Sequence, residues 1–223
     1  MTDFLEKPVV YNPPRDPYID VIYRDDDLLV LHKPSGLLHV PGRHPALSDC
    51  LQARVQEFYP QASTIHRLDK DTSGVVVMAL HKKAHAYVAG QFEAKTATKI
   101  YVARVWGAMM DPEGEIDWPL GPKRDHMPRQ QVDQQGGKPA LTRWEVITRE
   151  PETTLVRLRP LTGRTHQLRV HMMALGYPIL GDELYAPEPA LQAATRLQLH
   201  AESLSILHPA DGRSCCFSVP CPF

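Results

Sequence analysis

The chain reads as an α+β domain built on a mixed, mostly antiparallel β-sheet flanked by helices and loops, and three observations carry that reading. Apolar runs of strand length outnumber stretches of helical periodicity. The longest unbroken run, Val75 to Leu80, is bounded by turn chemistry and has the character of a strand buried on both faces. The 223 residues, 43% hydrophobic and 23% charged, can build one sizeable core, and no repeat, heptad or low-complexity tract is visible.

The elements follow in order. Pro8, Pro13, Pro14 and Pro17 keep residues 1–17 from regular helix or central strand, which predicts an extended arm lying on the body. Residues 18–223 then form the folded domain. Ile19 to Tyr23 and Leu28 to His32 flank the polar stretch Arg24–Asp27 as a hairpin, closed by the turn Lys33-Pro34-Ser35-Gly36. Leu47, Leu51, Val55 and Phe58 recur at helical spacing behind a Ser48 cap, with Pro60 as terminator. A strand starts near Ser63, the Val75 strand follows, and Ala84, Tyr87, Val88 and Phe92 mark an amphipathic helix. Thr98 to Trp106 alternates as a strand. Residues 107–139, rich in Gly, Pro, Gln and charge, predict short strands and a long basic loop. Strands are predicted over Leu141–Ile147 and Thr154–Arg159, then a helix over 166–175 capped by Thr165 and ended by Gly176, and strands over Arg196–Ser203 and Cys216–Val219.

Composition narrows the function classes. No apolar run approaches the roughly twenty residues of a membrane span, and the N-terminus has neither a basic nor an apolar signal region, so the expectation is a cytoplasmic chain with no membrane partner. Cys50 stands alone, and Cys215, Cys216 and Cys221 lack the spacing of a zinc or disulfide framework, so no metal is expected there. Net charge is -1, yet residues 32–171 hold twenty of the 25 Lys and Arg and only fourteen of the 26 Asp and Glu. That asymmetry permits a positive face on a near-neutral protein, the footprint of a polyanion binder.

Three segments carry chemistry. HRLDKDTSG at 66–74 sets Asp69 in a loop feeding the buried strand, either as a reactive carboxylate or as the cap of an Asx turn over Thr72 or Ser73. LTGRTHQLRVH at 161–171 gathers Arg164, His166, Arg169 and His171 at a helix N-terminus, a basic face that binds anions or merely meets solvent. KIYVARVWG at 99–107 puts Tyr101 on a strand, where a core aromatic is the plain alternative.

With KPSG at 33–36, PILGD at 178–182 and LHAESL at 199–204, these segments in this order resemble the successive motifs of the RluA-type pseudouridine synthases, from about Tyr18 onward. The resemblance implies the pseudouridine synthase fold and an isomerase that breaks the N1 glycosidic bond of uridine in RNA and rejoins C5 to the ribose. Many members add an N-terminal S4-type RNA-binding domain. With seventeen residues before Tyr18, the expectation is a chain without one, and a monomer. On this resemblance Asp69 is the essential carboxylate, Tyr101 contacts the target base, and Arg169 pairs with the carboxylate. Arg67 occupies the stack left by the flipped nucleotide, Leu199 supplies an apolar wall, and His66, Thr72, Arg164 and His166 contact substrate. The partners implied are 23S rRNA and tRNA anticodon stem–loops.

Physical chemistry is consistent with those roles. A base must leave its stack before its glycosidic bond is attacked. Burial alone would protonate Asp69, and a fixed guanidinium held bidentately would keep it ionised. Tyr101, with an ordinary pKa near 10, serves as a base only if deprotonated or relayed, and otherwise as a stacking wall. A redox-neutral isomerisation without GxGxxG, GxxxxGK[ST] or HExxH implies no cofactor. Two readings compete: a metal-dependent RNA hydrolase using His66, His166 and His171, and a non-catalytic RNA-binding module, whose usual stacking surface is missing at 7% aromatic residues.

Overall fold

The computed structural model describes residues 10–126 and 128–223. Among the described residues twelve strands and four α-helices run in the order β1 (Val21–Arg24), β2 (Leu28–Lys33), α1 (Leu51–Phe58), β3 (Ser63–Thr64), β4 (Ser73–Ala79), α2 (Lys82–Glu93), β5 (Thr98–Trp106), β6 (Glu113–Asp117), β7 (Leu120–Pro122), β8 (Gln130–Val132), β9 (Leu141–Arg149), β10 (Thr153–Pro160), α3 (Gln167–Ala174), α4 (Glu188–Gln192), β11 (Leu199–Leu207) and β12 (Ser214–Ser218). Ten strands form one sheet with the central order β1-β2-β4-β11-β5-β10-β9-β6, while β7 and β8 pair separately. Every strand pair is antiparallel except β4 with β11. No helix of the described residues is long and apolar enough to cross a membrane.

Period-2 alternation in β2 explains how this sheet buries both faces. Leu29 and Leu31 point to the side covered by α1, with Leu51, Val55 and Met78. Leu28 and Val30 point to the other side, against Val77 and Val88 of α2. All seven residues of β4 are buried, as the unbroken Val75 run predicts. A third cluster joins β5 and β10 (Val105, Val156, Leu158) to Leu168 and Met172 of α3.

The site lies where the sheet forks. Strand β11 meets β4 through only two residue pairs, His200 with Ser73 and Ala201 with Gly74, and β12 takes over that edge from Ser203 onward. The approach at the fork is close. A Cβ on Gly74, whose φ is +122°, would stand 2.2 Å from the Ala201 carbonyl oxygen, so no side chain fits there. The fork sets Thr72, just before β4, beside Leu199 at the start of β11 and Tyr101 on β5.

Several local expectations are corrected. The cap of α1 is Cys50, whose Sγ accepts from the Ala53 N–H at 3.4 Å, and not Ser48, which ends a 3₁₀ turn at Pro45–Leu47. Phe58, placed on the buried face by its spacing, is 58% exposed. Thr165 does not cap α3: His166 occupies the cap position in the left-handed region at φ 55°, with no side-chain cap bond. Gln167 does the bracing instead, accepting from the Arg164 N–H and the Thr162 hydroxyl, and donating to Leu141 and Thr142. Helix α4 has no counterpart in the sequence reading, because Pro187 and Pro189 mask five helical residues that need only a proline-compatible first turn. Residues 10–17 run without regular structure along the body, where Tyr11 Oη donates to the Asp49 carbonyl and accepts from the Leu38 N–H. Arg54 donates to the carbonyl of Pro14. Residues 1–9, including Pro8 of the arm, lie outside the described residues.

Candidate active site

The loop carrying Asp69 is fixed from the KPSG turn. Lys33, fully buried at the end of β2, donates its three ammonium hydrogens to the carbonyls of Pro34, Leu37 and Lys70 at 2.8, 2.6 and 2.8 Å. Burial pushes its pKa down to about 7, with the Asp71 and Asp69 carboxylates working in the opposite direction. Ser35 donates to the Asp71 carbonyl, the Gly36 N–H to Lys70, and the Leu68 N–H to Nδ1 of buried His39. Residues 68, 70 and 71 are thus each held, and the carboxylate between them projects freely. No backbone amide of Thr72 or Ser73 bonds Asp69 among the described residues, so the Asx-turn reading is not the one adopted.

Asp69, 24% exposed by its side chain, opens into a cavity of about 720 Å³ whose walls include all nine candidate residues. Thr72 and Leu199 form buried floor, and Tyr101 stands over it from β5, packed against the clusters on both sides of the fork. Burial, followed by the charge of Asp69, pushes Tyr101 upward, so it is a phenol at neutral pH and not a phenolate. Arg67 and Arg164 sit at the exposed rim. Arg164 is tied to the Pro139 carbonyl at 3.0 Å, and Arg67 has no polar partner among the described residues. A second cavity of about 350 Å³ adjoins on the far side of Asp69, between Leu38–Val40 and Glu183–Leu184.

The expected bidentate pairing of Arg169 with Asp69 is overturned. The guanidinium fork is taken by Asp182, through Nε at 2.8 Å and Nη2 at 2.6 Å, and only Nη1 faces Asp69, at 3.4 Å. Asp182 wins because it is 1% exposed and already placed by the amides of Leu184 and Tyr185, whereas Asp69 sits at the open edge. Burial opposes the charge of Arg169, but the Asp182 bonds raise its hold on the proton. The consequence favours chemistry: a carboxylate gripped by both oxygens has few lone pairs to offer, and Asp69 keeps most of its own.

Tyr185 extends the frame. Its ring lies under Arg169 at 5.2 Å, and its hydroxyl accepts from the Gln130 N–H and lies 2.7 Å from His166 Nδ1. With one lone pair occupied by Gln130, the hydroxyl can give its proton to His166 Nδ1, an arrangement in which the imidazole hydrogen sits on Nε2. That atom faces Asp69 Oδ2 at 3.8 Å, too long for a hydrogen bond but near enough for a positive dipole to act. Burial lowers His166, keeping it neutral.

His66 lines the cavity as a brace. Its Nε2 accepts from the Val77 N–H, its ring stacks on Phe92 with centroids 4.7 Å apart, and burial pushes it down to about 3. His171 lies in the core, its ring nitrogens at 2.9 Å from Thr142 Oγ1 and 3.0 Å from the Trp118 carbonyl oxygen. The three histidines of the hydrolase reading each have a ring nitrogen bonded within the fold, and they form no group with metal-ligand spacing among the described residues. Among the described residues one group has metal-ligand spacing, Asp25 with Asp27 and His208. There His208 Nδ1 accepts from the Ala210 N–H, leaving a hydrogen on Nε2 that meets Asp25 at 2.6 Å, a satisfied latch between the hairpin turn and the end of β11.

Sequence reasoning missed Asp182, Tyr185 and Lys33. Each lies in or beside a segment that carried the resemblance, PILGD or KPSG, but nothing in the spacing distinguishes a buried brace from a solvated charge.

A family model described as RNA pseudouridylate synthase matches residues 27–174. The chain is 50% identical over 214 residues to the dual-specificity RNA pseudouridine synthase RluA of Escherichia coli strain K12, covering 96% of this chain and 98% of that one. It is 48% identical over 213 residues to the protein of the same name from Vibrio cholerae, covering 96% and 87%. Among solved structures, human RNA pseudouridylate synthase domain containing 1 superposes with a TM-score of 0.76 at 31% identity, over 98% of this chain and 87% of that one. A cavity walled by Asp69, Tyr101 and Arg169 at a sheet fork, a matched family model and near full-length relatives lead to one conclusion: the chain belongs to the RNA pseudouridylate synthase family and is an RNA pseudouridine synthase.

Proposed function

We propose that the chain converts uridine to pseudouridine in the loops of small stem–loop elements, in a tRNA anticodon arm and in a hairpin of 23S rRNA, with Asp69 as the catalytic carboxylate. The observation that carries the reading is the state of Asp69: anchored on both sides through the backbone, open to the cavity, and held at one oxygen by a guanidinium already neutralised by Asp182. In the net reaction N1–C1′ breaks, C5–C1′ forms, the C5 proton leaves and N1 ends protonated. No electrons enter or leave. Asp69 acts at the junction of sugar and base with Arg169 Nη1 at 3.4 Å from its Oδ2, and Tyr101 and Leu199 hold the flipped ring as neutral walls.

Stem–loops suit a single compact body that must gather its affinity from a short element. Loop bases are cheapest to extrude, and their edges are readable where an A-form stem hides them. Arg67, at the rim with a free guanidinium, fills the vacated stack. Similarity to proteins named as dual-specificity supports two RNA targets. The reaction as read here needs no cofactor, and one copy of the chain supplies every residue named.

The test is pseudouridine mapping in cellular RNA with and without the gene, followed by assay of isolated stem–loops. Loss of specific sites in tRNA and 23S rRNA, with stem–loops modified nearly as well as the parent RNAs, is the expected result. Modification of assembled ribosomal subunits with no activity on either stem–loop would overturn the minimal-element reading.

A further inference from the structure

The cavity is larger than a uracil ring requires, and its lining continues past Tyr101 to the start of β5, a part we call its second lobe. This lobe lies between the end of α2, the turn into β5 and the end of β10, with Lys95, Lys99, Arg159 and the lone acid Glu93 on its wall. Lys99 is the informative group. It is two residues from Tyr101 on β5, so both side chains leave the same face of the strand. Its ammonium sits close over Gly163, 3.9 Å from where a Cβ on that glycine would stand. Among the described residues Lys99, Lys95 and Arg159 make no hydrogen bond or ion pair through their side chains. Burial weakens the hold of Lys99 on its proton, and no carboxylate lies near enough to restore it.

A half-buried cation without an anion is a cost to the free protein, and such a cost persists where a ligand removes it. A uracil carbonyl would give Lys99 a dipole but leave its charge uncompensated. A phosphodiester supplies a full negative charge and an acceptor oxygen. RNA whose target base occupies the Tyr101 end must lead its backbone out of the cavity, and the cationic lobe is lined for that path.

We propose that Lys99 receives a backbone phosphate flanking the target uridine, with Lys95 and Arg159 guiding the strand beyond it. The inference rests on the reading of this cavity as the uridine site. Lys99 is on this account a substrate-binding residue that grips the strand while Asp69 acts on the nucleoside.

The experiment uses the full chain and a stem–loop RNA in which the wild type forms pseudouridine, so failure of the functional reading appears as absent product before any variant is compared. Affinity is measured against salt concentration for the wild type, Lys99→Gln and Lys99→Arg. Lys99→Gln is expected to weaken binding roughly tenfold and to flatten the log–log salt slope by about 0.7, one phosphate contact on a single strand. Lys99→Arg is expected to restore the slope. Single methylphosphonates placed at each phosphate around the uridine should then reveal one position that weakens the wild type but adds nothing to Lys99→Gln. An unchanged slope with slower turnover at unchanged affinity would assign Lys99 to the base and overturn the proposal. Additive losses at every methylphosphonate position would overturn it equally.

Discussion

Around Asp69 nearly every polar group has a partner inside the protein. Lys33 has three carbonyls, Arg169 has Asp182, Asp182 has two amides, and His166 has Tyr185. At the other end of the same cavity Lys95, Lys99 and Arg159 line a wall with one acid, and none of the three is paired among the described residues. The difference separates two tasks. Bond making requires groups held to within a fraction of an ångström before substrate arrives, so their interactions are satisfied within the fold. Strand gripping requires charges that RNA neutralises on arrival, so theirs are left open.

The largest effect should come from the one group of the braced end that is not itself fully braced. Asp69→Asn is expected to reduce pseudouridine formation to background while leaving RNA affinity within about twofold, since phosphate contacts dominate affinity. Single-turnover product formation alongside filter binding checks this, and turnover clearly above background removes Asp69 from its role. Next comes Asp182→Asn. Removing one partner of a buried pair strands the other charge, so a loss of about 3 kcal/mol in stability is expected. At temperatures where the variant is folded, kcat should fall at least tenfold with little change in KM. Chemical denaturation and steady-state kinetics read the two effects separately, and a variant as active as wild type would show that the Arg169 frame is dispensable.

Acid should loosen the braced end first. His200, buried at the fork and bonded to Ser73 and to the Val219 carbonyl, is pushed by burial from 6.5 to about 4. Between those values the unfolded chain takes up the proton and the folded chain does not, so stability falls as pH drops through that window, by up to about 3 kcal/mol at its foot. Melting at pH 7.5 and 4.5 should show the loss. His200→Gln should be less stable at pH 7.5 and lose less on acidification, and an identical loss in both proteins would place the sensitivity elsewhere. The smallest effect belongs to the open end: Arg159→Gln should leave melting unchanged, within about 0.5 kcal/mol, and flatten the salt slope of RNA binding by about 0.7. A marked drop in stability would mean that Arg159 is braced after all.

Much of this was legible from residue order. The buried run Val75 to Leu80, the strand Thr98–Trp106 and the hairpin at Leu28 rest on periodicity that tertiary packing has no reason to override. Asp69, Tyr101 and Arg169 stand in motifs readable in the sequence, and the structure brings all three to one cavity. The partner of Arg169 was not legible, because Asp69 and Asp182 are both aspartates in loops, and only burial and the amides of Leu184 and Tyr185 decide which one the fork takes. His66 lines the cavity, and that its Nε2 is taken by the Val77 amide, eleven residues on, was not legible for a similar reason. Thr165 failed as a cap because Gln167 satisfies the helix entry from the other side.

The fork also bears on how the molecule comes to exist. Strand β11 is inserted between β4 and β5, and the contact of Ser73 with His200 spans 127 residues. Until β11 arrives, β4 and β5 have no common neighbour, Leu199 is absent from the floor, and Asp69 faces a half-built cavity. Closing so long a loop is slow compared with forming the local hairpin β1–β2. During synthesis the part of the β4 edge that β3 and His66 do not cover, at Ser73 and Gly74, therefore stays unpaired until more than a hundred further residues have been made, an interval in which it is open to mispairing or to a chaperone. The cavity wall that Leu199 supplies is therefore completed late, only once β11 is in place.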